Sequence, residues 1–310
     1  MEKPKECFKT SVGGQALMEG IMMRGPEKIC VAVRRPDGTL DMTYEDVKHH
    51  RWQKIPLVRG AAAMIENLVL GYRYLMHSAE VSMPEEAEEE PGRFEKWLGE
   101  HAGPGVQNFF MALAAVCGGL LAIVLFMVLP TAIVGLVNDF VPLGWGKVVL
   151  EGVLKITLFV GYLFLCTRMK EIHRVFEYHG AEHKTIACYE AGEELTVENV
   201  RHHRRFHPRC GTSFMILVLI VSILLFSVLP WSSTGLRVVL KLLLLPVVMG
   251  VSYELIKLAG RYDNLFTRII SAPGLWLQRL TTFEPDDSMI EVAIAAVLPV
   301  LPEHPDEAKW

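Results

Sequence analysis

Residues 109–138 have the sequence FFMALAAVCGGLLAIVLFMVLPTAIVGLVN, a run of 30 residues without a charged side chain. A helix rises about 1.5 Å per residue, so a run of this length exceeds the hydrocarbon core of a bilayer, which is roughly 30 Å thick. Pro130 lacks a backbone donor and predicts an end or a kink in the helix. We therefore predict that the first membrane-spanning helix covers residues 109–129.

Three further apolar stretches follow at residues 148–167, 213–230 and 238–253. Their composition predicts three more spans, so that the chain crosses the membrane four times in two helical hairpins. Hydrophobic residues make up 51% of the chain and charged residues 21%, which is typical of an integral membrane protein and excludes a wholly disordered chain. The formal net charge of -4 predicts no nucleic-acid partner.

Positive charge is distributed unequally between the segments that connect the spans. The loop at residues 168–212 is rich in lysine and arginine, whereas the turns at residues 138–147 and 231–236 are nearly free of them. Loops with an excess of positive charge stay in the cytosol. We therefore predict that both termini and the long middle loop are cytosolic.

The polar segments complete a predicted domain organisation. Residues 1–83 form a cytosolic α/β region, with a β-hairpin around Pro36-Asp37-Gly38 and a helix over residues 56–81 that packs on the hairpin or lies on the bilayer surface. We also predict a C-terminal helix capped by Ser288, which either docks on the cytosolic region or contacts another subunit of a homo-oligomer. The remaining regions are an acidic linker (84–105), the first transmembrane hairpin (106–167), the cytosolic loop (168–212), the second transmembrane hairpin (213–257) and a cytosolic tail (258–310). The predicted fold class is mainly α: a polytopic membrane protein with four transmembrane helices and a small cytosolic α/β portion.

The middle loop contains an H-x-x-E-H pattern formed by His179, Glu182 and His183. On a helix the two histidines are four residues apart and project from one face, where their imidazoles can bind one Zn²⁺. Glu182 can act as general base on a water molecule. Gly180 lies inside the pattern and disfavours a helix by about 1 kcal/mol relative to alanine. A break there would separate the two histidines.

A catalytic zinc site needs a third protein ligand, and the sequence supplies several candidates. His207 joins the two histidines in the predicted metal set; the alternatives are Glu190, Glu193, Glu194, Cys210 and the more distant Glu254. The histidines can instead belong to a hydrogen-bonded polar core without metal. If a divalent metal ion binds, its role is either hydrolytic or structural.

A cationic segment precedes the third predicted span and includes Arg201, Arg204, Arg205 and Arg209. Such a flank is typical of contact with anionic lipid head groups. Arginine forks can also grip a phosphate-bearing ligand such as a nucleotide. Both interpretations follow from the same four side chains.

Glu151, Lys155, Lys241 and Glu254 are charged residues in or beside the predicted spans. Because a charge inside a bilayer is costly, such side chains face the interior of the helix bundle, a pore or a partner, or they reach from the helix ends toward the head groups. The positions of these four residues favour the second arrangement. No single span carries a continuous polar stripe, which argues against a pore within one chain and leaves an oligomeric pore open.

Four blocks of the sequence resemble the YqhQ-like bacterial membrane proteins, a domain family of unknown function. They are VGGQALMEGIMMRGP (12–26), YHGAEHKT (178–185), HPRCGTSF (207–214) and APGLWLQRLTTFEPDD (272–287). Family members are described as predicted metal-dependent enzymes, so the resemblance implies roles for His179, Glu182 and His183. It also implies a bacterial cytoplasmic membrane location and marks Gln15, Glu19 and Arg24 as polar site positions.

Together these observations predict a metal-dependent membrane hydrolase, with zinc as the metal and Glu182 as the base. The alternative is an oligomeric pore or scaffold regulated by a phosphate-bearing ligand such as a nucleotide.

Overall fold

The computed structural model describes residues 9–83, 104–231, 233–262 and 264–302 of the chain. It is mainly helical with one small antiparallel sheet, and it divides into two compact units. We call them the sheet unit (Met1–Met83, Leu163–Ser222 and Leu244–Trp310) and the span unit (Pro84–Tyr162 and Ile223–Leu243). The predicted acidic linker lies outside the described residues, except for its last two positions.

The sheet is a four-stranded meander in the order β1-β2-β3-β4. Its strands are β1 (Gly13–Leu17), β2 (Gly20–Arg24), β3 (Lys28–Arg34) and β4 (Leu40–Asp46). The last two strands form the predicted hairpin, in which Gly38 adopts a φ of 85° that favours glycine. The first two strands were not predicted, because they are short and begin with glycines that weaken a strand pattern.

Both faces of the sheet are buried. Ile21, Met23 and Ala32 point toward helices α5 (Lys170–Glu190) and α10 (Asp287–Val297), which contribute Tyr178, Ala181 and Ile290 to the same core. The opposite face, with Met22, Ile29 and Val31, packs on Tyr74 of α1 (Val58–Ser82). Because helices cover both faces of the sheet, the side chains of β2 and β3 are apolar on both faces instead of alternating between apolar and polar.

The sequence left two placements for each of two helices, α1 and the C-terminal helix α10. In the structure both helices pack on the sheet. Helix α1 buries Gly71, Tyr74 and Ser78, while Ile65 and Leu68 stay exposed on its other side. Helix α10 begins one residue before the predicted cap: Asp286, and not Ser288, accepts a hydrogen bond from the backbone N–H of Met289. An aspartate side chain reaches the third N–H of a helix from this position, which makes it the N-cap.

Three helices are long and apolar enough to cross a membrane: Ala112–Phe140, Gly146–Cys166 and Thr234–Arg261. The first lies within a helical segment made of α2 (Pro104–Ile123), a π-helical turn (Val124–Val128) and α3 (Leu129–Phe140). The others are α4 (Gly146–Cys166) and α8 (Thr234–Arg261). The helix continues past Pro130 instead of ending at residue 129, because the π-helical turn accommodates the missing donor. The predicted fourth span is the apolar helix α7 (Gly211–Phe226), whose 16 residues rise only about 24 Å.

Two further α-helices lie in the middle loop and beside the C-terminal helix. Helix α6 (Val197–His202) lies in the middle loop, and α9 (Leu265–Thr281) precedes the C-terminal helix. Asn264 caps α9 through a hydrogen bond from the N–H of Thr267. Both helices belong to the sheet unit and flank the residues that the sequence marks for chemistry.

The charged residues of the spans do not reach outward as expected. Within the span unit, Glu151, Lys155 and Lys241 are buried, and Glu151 pairs with both lysines. Partners on neighbouring helices stabilise these charges inside the unit, so no long side chain has to leave it. In the sheet unit, Glu254 pairs with Arg59 and accepts a hydrogen bond from the N–H of Leu57.

Candidate functional site

The H-x-x-E-H pattern lies in the middle of helix α5, which runs without a break from Lys170 to Glu190. The rings of His179 and His183 stand on one face with centroids 4.4 Å apart. Gly180 does not interrupt the helix. A side chain at Gly180 would stand 2.0 Å from the carbonyl oxygen of Phe283, so glycine is required there for the close approach of a neighbouring backbone.

Both imidazoles are anchored through the same ring atom. Nδ1 of His179 lies 2.7 Å from the carbonyl oxygen of Thr281, and Nδ1 of His183 lies 2.6 Å from that of Arg205. A carbonyl oxygen only accepts hydrogen bonds, so each Nδ1 donates. Each Nε2 is therefore left for another partner. Histidines that bind a metal ion through one ring nitrogen usually donate the other ring N–H to such a carbonyl oxygen.

Cys210 completes a group of three. Its Sγ lies 3.1 Å from Nε2 of His179, and one ligand atom each from His179, His183 and Cys210 all fall within 4.8 Å of one another. Donor atoms around a tetrahedral metal ion with bonds of this kind lie about 3–4 Å apart. The three side chains, which offer two nitrogens and one sulfur and are shielded from solvent, fit a divalent transition-metal ion.

The loop that carries Cys210 is held by Gln278 of helix α9. The Gln278 amide accepts a hydrogen bond from the N–H of His207 at 2.8 Å and donates one to the carbonyl oxygen of the same residue at 2.6 Å. It also donates to Ser213 at 3.0 Å. All of these groups are buried, so the single amide holds the backbone of His207 before the cysteine and the side chain of Ser213 after it.

The charges in this group are coupled. Burial disfavours the charged thiolate, but His179 and His183 outweigh it and hold the pKa of Cys210 well below the usual value for a thiol. Burial also lowers the pKa of His179, yet the neighbouring Cys210 and Glu182 reverse this effect and raise that pKa to about 9. Without a metal ion, the pair therefore favours an imidazolium beside a thiolate, and a thiolate is the form of cysteine that binds metals.

Glu182 stands next to the group without joining it. Burial raises the pKa of its carboxyl, although both histidines act in the opposite direction. Its Oε1 accepts a hydrogen bond from the N–H of Gly14 at 3.0 Å. A side chain at Gly14 would come within 3.2 Å of this carboxyl and within 2.5 Å of the Met22 carbonyl oxygen, so strand β1 needs glycine here to approach the site.

His207, the predicted third ligand, has a different neighbourhood. Its ring centroid lies 5.7 Å from that of His183, but its Nε2 faces Glu190 at 3.3 Å. Arg209 forms an ion pair with the same carboxylate. Burial lowers the pKa of His207 below the usual value for histidine. The geometry favours Cys210 over His207 as the third ligand.

The four arginines of the cationic segment do not converge on one point. Arg201 pairs with Asp287, Arg205 with Glu284 and Arg209 with Glu190, while the Arg204 side chain is exposed. Three of the four charges are therefore already matched by carboxylates within the sheet unit. The phosphate-bearing ligand, and the nucleotide-regulated pore that depends on it, stay predictions.

The polar positions of the N-terminal block face three different neighbours. Arg24 pairs with Glu66 of helix α1, and the Gln15 amide packs against Gly71 of the same helix. Glu19 pairs with Arg174 and accepts a hydrogen bond from the Tyr178 hydroxyl. Gly14 of this block contacts Glu182 beside the site, although the block as a pattern did not mark Gly14.

A second group with suitable ligand atoms consists of Cys188, Glu193 and His203. Glu193 is exposed, and Glu194 contributes only its carbonyl oxygen nearby, as acceptor for Cys188 and Asn199. Among the described residues, His203 contacts Glu193 through its Nε2 and has no backbone carbonyl to orient its ring, unlike His179 and His183. The first group is therefore the stronger candidate.

Comparison with known proteins identifies relatives over nearly the whole chain. Residues 55–303 match the family described as "Protein of unknown function (DUF1385)". The chain is 36% identical over 296 residues to "Uncharacterized protein YqhQ" of Bacillus subtilis (strain 168). That alignment covers 94% of the chain and 92% of the relative. No solved structure matches the chain.

Proposed function

The chain belongs to the DUF1385 family, as the resemblance to YqhQ-like proteins predicted, and we propose from the geometry of its site that it is a membrane-associated, metal-dependent hydrolase. His179, His183 and Cys210 would hold the ion, which we propose to be zinc because two imidazoles and a thiolate are ligands that zinc accepts. The observation that carries the proposal is the anchoring of both Nδ1 atoms on backbone carbonyls, which leaves both Nε2 atoms for another partner and places that of His179 3.1 Å from Sγ of Cys210.

Three ligands support a catalytic role over a structural one. Structural zinc sites are closed by four protein ligands, whereas catalytic sites have three and leave one position for water or substrate. A bound divalent ion would supply Lewis acidity and lower the pKa of a water molecule. Glu182 lies beside the ligand histidine His183 but outside the group of three, at the position of a base.

The role of Glu182 follows from its surroundings. Its backbone partner, the N–H of Gly14, holds one carboxyl oxygen and leaves the other to take a proton from the attacking water. Burial raises the pKa of this carboxyl, which brings a general base closer to neutral pH. Glu182 can then pass the proton to the leaving group, so one residue serves as base and as acid.

The proposal includes an orientation. We place helix α7 as a fourth, short span and both termini in the cytosol of a bacterial cytoplasmic membrane. The abundance of arginine and lysine in residues 168–212 supports this arrangement. C-terminal fusions to alkaline phosphatase and to a fluorescent protein test it: fluorescence without phosphatase activity is expected, and the reverse pattern would reject it.

The experiment on function compares the wild type with Glu182→Gln. Both proteins are purified in detergent, their zinc content is measured, and they are assayed against a panel of ester, amide and phosphoester substrates. We expect equal zinc content, with hydrolysis of one substrate class by the wild type alone. Zinc-containing wild type that hydrolyses nothing, or Glu182→Gln with full activity, would reject the hydrolase.

A further inference from the structure

Helix α9 has two faces of opposite character. Its inward face buries Gln278 and Thr281, which position the candidate metal site through His207 and His179. On the other face, Leu265 is 75% exposed, Ile269 62% and Trp276 56%. Spacings of four and seven residues align these three side chains in one stripe along the helix. A stripe of large exposed apolar side chains indicates a surface that contacts a partner.

The charged residues of α9 are all positive. Arg268 and Arg279 are exposed, and their helical positions place both of them along one edge of the apolar stripe. The segment from Leu265 to Thr281 includes no aspartate or glutamate. An apolar face flanked by arginines is typical of a helix that lies in the head-group region of a membrane, where it is attracted by anionic lipid.

The start of α9 is tied to the end of α8, a helix long and apolar enough to cross a membrane. Its 28 residues rise about 42 Å, more than the hydrocarbon core of roughly 30 Å, so a membrane-crossing α8 reaches the head groups. Four residue steps lead from Arg261 to Leu265, which limits the distance between the two helix ends to about 14 Å. The Thr267 hydroxyl also donates to the carbonyl oxygen of Tyr262, the residue after α8, at 3.1 Å.

The middle of α9 is tied to the first turn of the apolar helix α7. Nε2 of Gln278 donates to Oγ of Ser213 at 3.0 Å. A side chain at Gly274 would come within 2.8 Å of the Cα atom of Ser213, so glycine permits the close approach of the two helices. Helix α9 therefore lies at the ends of two apolar helices. Tyr262 and Trp276, both exposed, are of the types enriched where a membrane meets water.

We propose that the outer face of α9, formed by Leu265, Ile269 and Trp276 with Arg268 and Arg279 at its edge, docks on the head-group region of the bilayer and prefers anionic lipid. The apolar stripe faces the acyl chains, and the two arginines meet lipid phosphates. Because a helix with its side chains is about 10–12 Å thick, the candidate metal site on the inward face lies close beneath the head groups. The docking surface does not depend on the proposed hydrolysis.

The test uses the full chain with fluorinated tryptophan, reconstituted in nanodiscs of phosphatidylcholine and phosphatidylglycerol. Trp276→Phe removes one of the six tryptophan signals in the fluorine-19 spectrum and so assigns it. A nitroxide on the lipid acyl chain near the head group should broaden the Trp276 signal more than a water-soluble gadolinium chelate does. Stronger broadening by the chelate would overturn the proposal. Broadening by neither probe would also overturn it, because it would show a face covered by protein, such as a second copy of the chain.

Ile269→Glu places a charge in the apolar stripe at an exposed position, so the variant should fold but lose the docking. We expect the lipid nitroxide to broaden its Trp276 signal several-fold less than in the wild type. Tyr44→Glu is the matched control, because Tyr44 is 57% exposed on strand β4 and not on α9, and it should keep the wild-type broadening. Wild-type broadening in Ile269→Glu would contradict the proposed surface.

A second variant keeps the apolar stripe and changes only its charged edge. Combining Arg268→Gln with Arg279→Gln should abolish the increase in lipid broadening that phosphatidylglycerol causes in the wild type, because the attraction to lipid phosphates is lost. This readout stays decisive if Ile269→Glu does not fold. An undiminished response to phosphatidylglycerol in the double variant, or no response in the wild type, would contradict the preference for anionic lipid.

Discussion

Nδ1 of His183 lies 2.6 Å from the backbone carbonyl oxygen of Arg205. Arg205 belongs to the cationic segment, yet it serves the site through its main chain, while its side chain pairs with Glu284. The contact fixes the ring of His183 and leaves its Nε2 for another partner. Through this main-chain contact, the cationic segment orients a candidate metal ligand.

The first prediction concerns the third ligand. Cys210→Ser should lower zinc affinity by more than the roughly 10- to 100-fold that loss of an outer hydrogen-bond partner causes, because a ligand itself is replaced. His207→Ala is the matched control and should keep full zinc content, since Nε2 of His207 faces Glu190. Zinc content is measured by elemental analysis after dialysis against a weak chelator. Loss of zinc from His207→Ala with retention by Cys210→Ser would reverse the assignment.

The second prediction concerns Gly180. Alanine is normally favoured over glycine in a helix, but a methyl group here would stand 2.0 Å from the Phe283 carbonyl oxygen. We expect Gly180→Ala to lower the free energy of unfolding by about 1–3 kcal/mol, as overpacking does. Thermal unfolding in detergent measures the change.

The control for that substitution is Gly161→Ala on helix α4. No atom lies within 4 Å of a side chain placed at Gly161, so this variant should be neutral or more stable by up to about 1 kcal/mol. Equal behaviour of the two variants would show that the backbone at Phe283 does not approach Gly180 closely.

The third prediction concerns Gln278. Gln278→Leu leaves the buried N–H and carbonyl oxygen of His207 without partners and should cost about 1–3 kcal/mol of stability. Because the same backbone carries Cys210, zinc affinity should fall as well. Arg279, the next residue along the chain, is exposed, so Arg279→Ala is the control. This variant should change neither the stability nor the zinc affinity. A destabilised Gln278→Leu with wild-type zinc affinity would separate this amide from the site.

The fourth prediction concerns pH. Burial lowers the pKa of His207 in the folded protein below 6.5, the ordinary value. Above pH 6.5, His207 is neutral in the folded and in the unfolded protein, and its protonation does not reduce the free energy of unfolding. As the pH falls through 6.5, the unfolded chain takes up a proton that the folded chain resists, so stability is lost.

His207→Gln should therefore show a smaller drop in Tm between pH 7.5 and pH 5.5 than the wild type. His202→Gln, at an exposed position, should show the wild-type drop. An undiminished drop in His207→Gln would assign the pH dependence to other groups.

Local sequence patterns predicted those parts of the fold that depend on local physics. The turn at Pro36-Asp37-Gly38 predicted the hairpin of β3 and β4, and the apolar runs predicted the three helices that are long and apolar enough to cross a membrane. The buried charges of the span unit were not predicted as a cluster. Lys241 and Glu151 are 90 residues apart in the chain, and their contact depends on helix packing that periodicity does not encode.

The sequence likewise predicted one part of the candidate site and not the other. The spacing of His179 and His183 predicted that their rings share a face, because i and i+4 positions do so on any helix. The carbonyl oxygen that orients His179 belongs to Thr281, 102 residues away, and main-chain acceptors leave no trace in the residue types. Gly14 and Gly180 were visible as glycines, but their purpose is a close approach that only the tertiary structure reveals.

The central claim is that His179, His183 and Cys210 bind one metal ion. X-ray absorption at the zinc K edge, on the purified full chain, tests it most directly. We predict one sulfur ligand at about 2.3 Å and two nitrogen ligands at about 2.0–2.1 Å, with the sulfur contribution absent from Cys210→Ser that is loaded with zinc. A wild-type protein without stoichiometric metal, or with zinc that has no sulfur ligand, would contradict the account.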